Sequence, residues 1–452
     1  MRYLALTGNL GAGFNERSLA AATERGVDFI GVDAGSTDGG PHYLGTGDWI
    51  WARDAYLRDL RLALAAVHDA GVPLIVGSCG GGGNDSCVDD FAALVEEIVQ
   101  DAGWSLRLAT IHCEPSRAYL AERYEAGAIR PLDAPPAIDR ATFEAPGHIV
   151  AMAGAEPIQA ALEGGADVVL VGRCADAAIY AALPLLRGFD PALVWNAAKL
   201  MECGAAPAEN RRGQDCLLCT MDEDGFVLEP LDPTMQCTPR SVVAHTMYET
   251  ANPFRLVMPS GVMDSHDAVY DALDDRSVRV SGGRFDPAEV YTVKLEGSAP
   301  VGHQSSFWGS VRDPAILADL DTWINGMRER VVERLGDVYD AEYELTLRAY
   351  GADGTVGVTP KPVPHEAIVV CDVVADDAEV ASGMARAAYH VVLHWPAKAW
   401  SGASITGIAH PYSAPVVDRG PVHRFTLNHV LELEREEIPL VFPVSTRTVG
   451  DT

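Results

Sequence analysis

Short β-branched and apolar runs alternate with longer amphipathic stretches from Met1 to roughly residue 190, the rhythm that sets parallel strands beside crossover helices. Tyr3 to Thr7, Phe29 to Asp33, Leu74 to Gly77, Leu106 to His112, Ile149 to Ala153 and Val168 to Gly172 read as strands. Glu16 to Arg25, Asp54 to Asp69, Val88 to Ala102 and Ser116 to Tyr124 read as helices. The pattern predicts an α/β fold whose N-terminal part is a mostly parallel sheet with helices on both faces; a (β/α) barrel, built from the same unit, is the alternative. Beyond residue 210 come shorter strands and turns, Met221-Asp-Glu-Asp-Gly-Phe226 and Ala352-Asp-Gly354, with helices at Pro314 to Leu335 and Asp377 to His394, an α+β pattern. The polar, aperiodic stretch from Ala205 to Gln214 places a boundary near residues 205 to 215. The expected division is an α/β glycine-loop domain, 1–210, followed by an α+β C-terminal domain, 211–452.

With 452 residues, 48% of them hydrophobic, the chain can bury two or more cores. Its 34 Lys and Arg against 64 Asp and Glu give a formal charge of -30, a field that repels phosphate backbones and anionic lipid, so neither nucleic acid nor membrane is an expected partner. Only Lys199, Lys294, Lys361 and Lys398 are lysines; a lysine-poor acidic surface suits a salt-rich cytoplasm or an arginine-biased genome. Nine scattered cysteines and a start that runs directly into a strand-like segment point to a reducing, cytoplasmic setting. No apolar run approaches the roughly 18 residues that a bilayer requires.

Chemistry concentrates at the predicted strand ends, where ligands bind in α/β sheets. Ser78-Cys-Gly-Gly-Gly-Gly-Asn-Asp-Ser-Cys87 follows the run Pro73 to Gly77, and its four glycines read as a bare backbone turn before a helix capped by Ser86 or Asp85. Gly80, Gly81, Gly82 and Gly83, with Asn84 and Asp85, are candidate substrate-binding residues. Asp89 and Asp90 in the first turn of that helix oppose a phosphate there. The earlier loop Gly8-Asn-Leu-Gly-Ala-Gly-Phe14 either holds an anion on its amides or is a plain tight turn. Asp33 ends the second strand and Asp38 lies in the glycine-rich loop after it, as a base, a metal ligand, a hydroxyl anchor or simple turn residues. After the sixth strand, Gly172-Arg-Cys-Ala-Asp176 offers Arg173 as a two-pronged donor to a carboxylate and Asp176 for proton chemistry; a structural Arg173 to Asp176 ion pair is the plainer alternative. Lys294 and Glu296, two apart, would share one face of a strand, and His245 and Tyr248, three apart, one face of a helix. His390 and His394 are spaced for a metal but lack the glutamate of a zinc-protease motif, and Cys216-Leu-Leu-Cys219 is half of a zinc cluster at most.

Taken in order, Asp33-Ala-Gly-Ser-Thr-Asp38 with His42-Tyr-Leu-Gly45, Gly172-Arg-Cys-Ala-Asp176, Glu202-Cys-Gly204 and the run Cys237 to Glu249 form one set. Lys294-Leu-Glu-Gly297, Arg312-Asp-Pro314, His365-Glu366, Pro411-Tyr-Ser413 and His429 extend it, and the whole resembles the acyclic terpene utilisation (AtuA) family. The resemblance implies a cytosolic protein of carboxylic acid or acyl-CoA catabolism, some members carrying a loose lyase designation and some lying beside a small companion protein. The Asp-Ala-Gly-Ser-Thr-Asp loop marks a subgroup distinct from the Asp-Tyr-Leu-Ala-Glu form of terpene-pathway members.

These observations converge on an expected lyase or hydratase acting on a small carboxylic acid or acyl-CoA. Arg173 would hold the carboxylate, Glu296 is a further candidate substrate-binding residue, and the Gly80 to Gly83 amides would stabilise an enolate oxyanion. Asp33, Asp176, His245 and Lys294 are the candidate catalytic residues. On the sequence alone, alanine at Arg173 should raise KM and leave the melting temperature nearly unchanged. The alternatives are a metal-dependent amide or lactone hydrolase using Asp33, Asp38 and a histidine, or a non-catalytic subunit that binds acyl-CoA or docks a partner. No cofactor is specified, and a homo-oligomer is the usual form of such a protein.

Overall fold

The computed structural model describes residues 1–145, 147–250, 252–336, 338–352, 363–398, 407–410 and 415–450. Pro411-Tyr-Ser413 and the tip of the Ala352-Asp-Gly354 turn lie outside these residues. The chain divides into two compact units, Met1–Ala299 with Phe425–Thr452, and Pro300–Arg424. The polar stretch at 205 to 215 therefore falls inside the first unit.

That unit is built on an open ten-stranded sheet, not a barrel. Five central strands, Arg2–Ala5, Phe29–Asp33, Leu74–Gly77, Val168–Val171 and Ser105–Ile111, stand side by side in that order and run parallel. All but the last are buried nearly end to end, which is why they read as unbroken apolar runs. Antiparallel strands extend both edges: Leu217–Met221 pairs with Arg2–Ala5 and turns back through the expected hairpin into Gly225–Pro230, while Val444–Gly450 pairs with Ser105–Ile111. Separate apolar clusters on the two faces give the layered core that helices on both sides require.

One expected member of the parallel sheet lies elsewhere. His148–Ala151 pairs antiparallel with Leu295–Ser298 at the start of the long strand Tyr291–Val311. A strand buried on both faces has the same apolar signature whichever neighbour it takes, so periodicity alone could not assign its partner.

The second unit has an antiparallel sheet in which Ala367–Ala375 lies between Tyr343–Tyr350 and the His303–Val311 part of the long strand. Helices Leu320–Gly336 and Ala378–Leu393 share a core with it. The Asp377 side chain caps the second helix by accepting from Glu379 N and Val380 N at 2.8 and 3.0 Å. The expected helix over 314–335 breaks in two at Asp319, where the backbone leaves helical dihedrals (φ −135°, ψ 44°).

The four-glycine turn, expected as a bare backbone corner for a ligand, is packed closely against its neighbours. Gly80 to Gly83 are buried, and a Cβ at Gly82 would sit 2.5 Å from Leu44 Cα. Gly83 has φ +72°, and a Cβ there would sit 2.3 Å from the Arg173 backbone nitrogen, which donates to the Gly83 carbonyl at 3.0 Å. Gly83→Ala is expected to cost about 3 kcal/mol or more through strain and overlap. A guanidinium unfolding midpoint unchanged from wild type would contradict that account.

Candidate functional site

In the parallel sheet Asp33 pairs in register with Gly77, and Val76 with Leu170, so the carboxyl ends of three adjacent strands bring Asp33, Ser78 and Arg173 together. Ser78 adopts a left-handed backbone (φ 43°) that turns the chain off its strand, a strain typical of site corners. Its hydroxyl accepts from Arg173 Nη1 at 3.3 Å. Arg173 also donates through Nη2 to Thr37 Oγ1 at 3.2 Å and through Nε to Glu296 Oε2 at 2.7 Å. Thr37 Oγ1 donates to Glu296 Oε1 at 3.0 Å, and Lys294 Nζ donates to the same oxygen at 2.7 Å.

The expected pairing of Lys294 with Glu296 on one strand face is present, and the partner of Arg173 is Glu296 instead of Asp176. Burial alone would raise the Glu296 carboxyl, but the charges and hydrogen bonds of Arg173 and Lys294 hold it down at about 2. Glu296 is thus a permanent anion shared by two cations. Because its folded pKa lies below the unfolded value near 4.3, this contribution is complete above about pH 5 and is lost as pH falls toward 2, on the order of 3 kcal/mol. Acid unfolding of Glu296→Gln should lack this limb; an identical acid transition would remove the ion pair from the account.

Beside this network opens a cavity of about 400 Å³ in the first unit. Arg173, Asp176, Lys199, Glu202, Glu249 and Lys294 supply its polar lining; Leu132, Met152, Leu256, Met258 and Val430 are among its apolar walls. Asp176 opens the helix Asp176–Leu186 and its side chain hydrogen-bonds to none of the described residues. Burial raises its pKa against the pull of Arg173 and Lys199, with Asp38 and Glu249 adding to the rise. Asp33 lies outside the cavity lining. Burial and then the Asp176 charge push its pKa well up, Arg173 opposing, and its Oδ1 has no partner among the described residues.

Lys199 and Glu202 form a buried hydrogen-bonded pair at the end of the helix Pro191–Met201, with Lys199 Nζ donating to Glu202 Oε1. Neither was singled out as a site residue from sequence, although a lysine and a glutamate three apart in an otherwise apolar helix is a detectable signal. Glu249 carries a left-handed backbone (φ 56°).

Other candidates stand apart. His245 is buried in the helix Pro239–Thr246 and stacks on Tyr248 at 5.6 Å between ring centroids, but it is not in the cavity lining. Burial, then Lys199 and Arg211, lower its pKa to about 4, so it is neutral near pH 7. The Gly80 to Gly83 turn, Asn84 and Asp85 do not line the cavity either. Asn84 Nδ2 donates to the Leu44 carbonyl at 2.9 Å, and Asp85 Oδ1 accepts from the amides of Cys113 and Glu114 at 2.7 and 3.2 Å. Asp85 is thus a tie between loops, and Asn84, not Ser86 or Asp85, occupies the cap position of the helix Asp85–Ala102. In the first glycine loop the Gly11 and Gly13 amides are already taken, donating to Asp59 Oδ2 at 2.8 and 3.0 Å.

Among the described residues no three His, Cys, Asp or Glu side chains are grouped to hold a metal ion, whether Asp33 and Asp38 with a histidine or His390 and His394, which are exposed. Eight of the nine free cysteines are buried, Cys219 within the core strand Leu217–Met221 and Cys216 just before it. Among the described residues no helix is long and apolar enough to cross a membrane.

Motif residues from Thr37 to Glu296 thus meet at one cavity and the ion network beside it. No curated protein and no solved structure gives a significant match to the chain. The model of the acyclic terpene utilisation family protein AtuA matches residues 48–205 and 219–419, most of the length, and the chain belongs to that family.

Proposed function

We propose that the protein is an enzyme that removes the α-proton of a small carboxylic acid or acyl thioester, as a lyase or hydratase does. The observation that carries this reading is Asp176, a carboxylate on the cavity wall with no hydrogen-bond partner among the described residues and a pKa raised by burial. Such a group is placed to accept a proton from a bound molecule instead of stabilising the fold. Arg173 and Lys294 line the same cavity and supply positive charge for a carboxylate or for the oxyanion that forms when the α-proton leaves. Glu296 fixes both cations in place, so their positions are set before substrate arrives. The oxyanion role expected of the Gly80 to Gly83 amides passes to these cations, because the glycine turn is packed away from the cavity. Asp33, whose buried carboxyl feels the Asp176 charge, acts behind the cavity wall as a positioning group.

The cavity volume suits an acid or the acyl end of a thioester, with the apolar wall receiving the carbon chain. The test is α-hydrogen exchange in D2O, followed by NMR, on a panel of C4 to C10 straight and branched acids and their N-acetylcysteamine thioesters. The expected result is deuterium at the α-carbon of at least one panel member. Binding of acyl compounds without exchange would support a non-catalytic subunit instead.

A further inference from the structure

The cavity holds a second acid that the α-proton step does not use. Glu296 accepts three hydrogen bonds and is permanently ionised, so it has no proton to give near neutrality. The Lys199–Glu202 pair lines the same cavity, is buried, and is joined by no hydrogen bond to the Arg173–Glu296–Lys294 network among the described residues. Asp176 feels the charges of both clusters, Arg173 on one and Lys199 on the other. Burial, opposed by Lys199 and reinforced by Asp176, pushes Glu202 up to about 8. Of the two carboxyls, Asp176 hydrogen-bonds to none of the described residues, while Glu202 accepts from Lys199 Nζ through Oε1 and, with its pKa at about 8, carries a proton on its other oxygen at neutral pH. A base alone suffices for exchange or racemisation; a fixed acid beside it is what a departing hydroxyl needs.

We propose that Glu202, oriented by Lys199, is the leaving-group acid of this site, and that the substrate is a 3-hydroxy carboxylic acid or its thioester that loses water across the α,β-bond. The inference rests on Asp176 as the base. In the forward direction Asp176 takes the α-proton, and the C–H electron pair becomes the second bond of the alkene. The C–O bond breaks with its electrons on oxygen, which takes the Glu202 proton and leaves as water. Solvent then returns the proton from Asp176 to Glu202, and hydration is the reverse. The apolar wall at Leu132, Met152, Leu256, Met258 and Val430 would carry the alkyl substituent of carbon 3.

The experiment uses the full-length protein with 3-hydroxybutyryl and 3-hydroxy-3-methylbutyryl probes, each as free acid and N-acetylcysteamine thioester, in D2O. Wild type is expected to exchange the α-proton and to release water. Glu202→Gln should keep exchange within about threefold and lose dehydration by roughly 100-fold or more. Its dehydration should also lose the fall in rate that wild type shows above about pH 8. Retained exchange certifies that the variant is folded. Should Glu202→Gln not fold, Glu202→Asp carries the test, with dehydration reduced more than exchange. Equal dehydration by variant and wild type, or wild-type exchange without water loss from any probe, overturns this inference and leaves Asp176 as the base. Absence of exchange from every probe overturns both.

Discussion

Asp176→Asn is expected to lower α-hydrogen exchange by roughly 100-fold to 10,000-fold, the usual worth of a positioned general base. The substitution keeps shape and removes only the ability to take a proton. The Asp176 side chain makes no hydrogen bond to a described residue, so what its neutralisation removes is the attraction of Arg173 and Lys199 for its charge. Asp176 also raises Asp33 and Glu202 by its charge, so neutralising it should ease both buried acids. Stability should therefore be unchanged or slightly improved while activity falls. This combination separates a base from a structural residue, for which loss of activity and loss of folding go together. Exchange at the wild-type rate in Asp176→Asn would remove this residue from the chemistry.

Arg173→Ala should behave in the opposite way, with a stability loss of about 3–5 kcal/mol, the scale for breaking a buried pair. The guanidinium is buried and donates to Glu296, Ser78 and Thr37, so removing it takes a donor from all three and leaves Glu296 with Lys294 as its remaining cation. This differs from the expectation drawn from sequence, in which alanine at 173 spared the melting temperature. A double-mutant cycle with Glu296→Gln gives the cleanest measure: the second change should recover part of the loss, because Glu296 would otherwise keep Lys294 alone as its cation. Additive losses in the cycle would mean that the pair is not coupled.

The parallel core strands and the early helices were readable because each is an unbroken apolar run or a 3.6-residue stripe, signals carried locally by the chain. Site residues at strand ends were readable for the same reason: Asp33 and Arg173 each punctuate a buried strand. The pairing of His148–Ala151 with Leu295–Ser298 was not, since a pairing partner almost 150 positions away leaves no local trace. The same holds for the division into units, since Phe425–Thr452 belongs with Met1–Ala299 across the whole of Pro300–Arg424. The glycine turn misled because a bare backbone serves close packing as well as it serves a ligand; only the neighbours Leu44 and Arg173 decide which. Lys199 was named as one of four lysines and Glu202 within a family motif, yet neither as a site residue, because their pairing and burial are set by the fold and not by their spacing in the chain.

The strand Val444–Gly450 covers Ser105–Ile111, which is made more than three hundred residues before it. During synthesis that flank of the sheet waits with its backbone donors and acceptors open, a template for pairing with other nascent chains. Deleting Val444–Gly450 should therefore favour inclusion bodies, and chaperone dependence should concentrate on the interval before this strand docks.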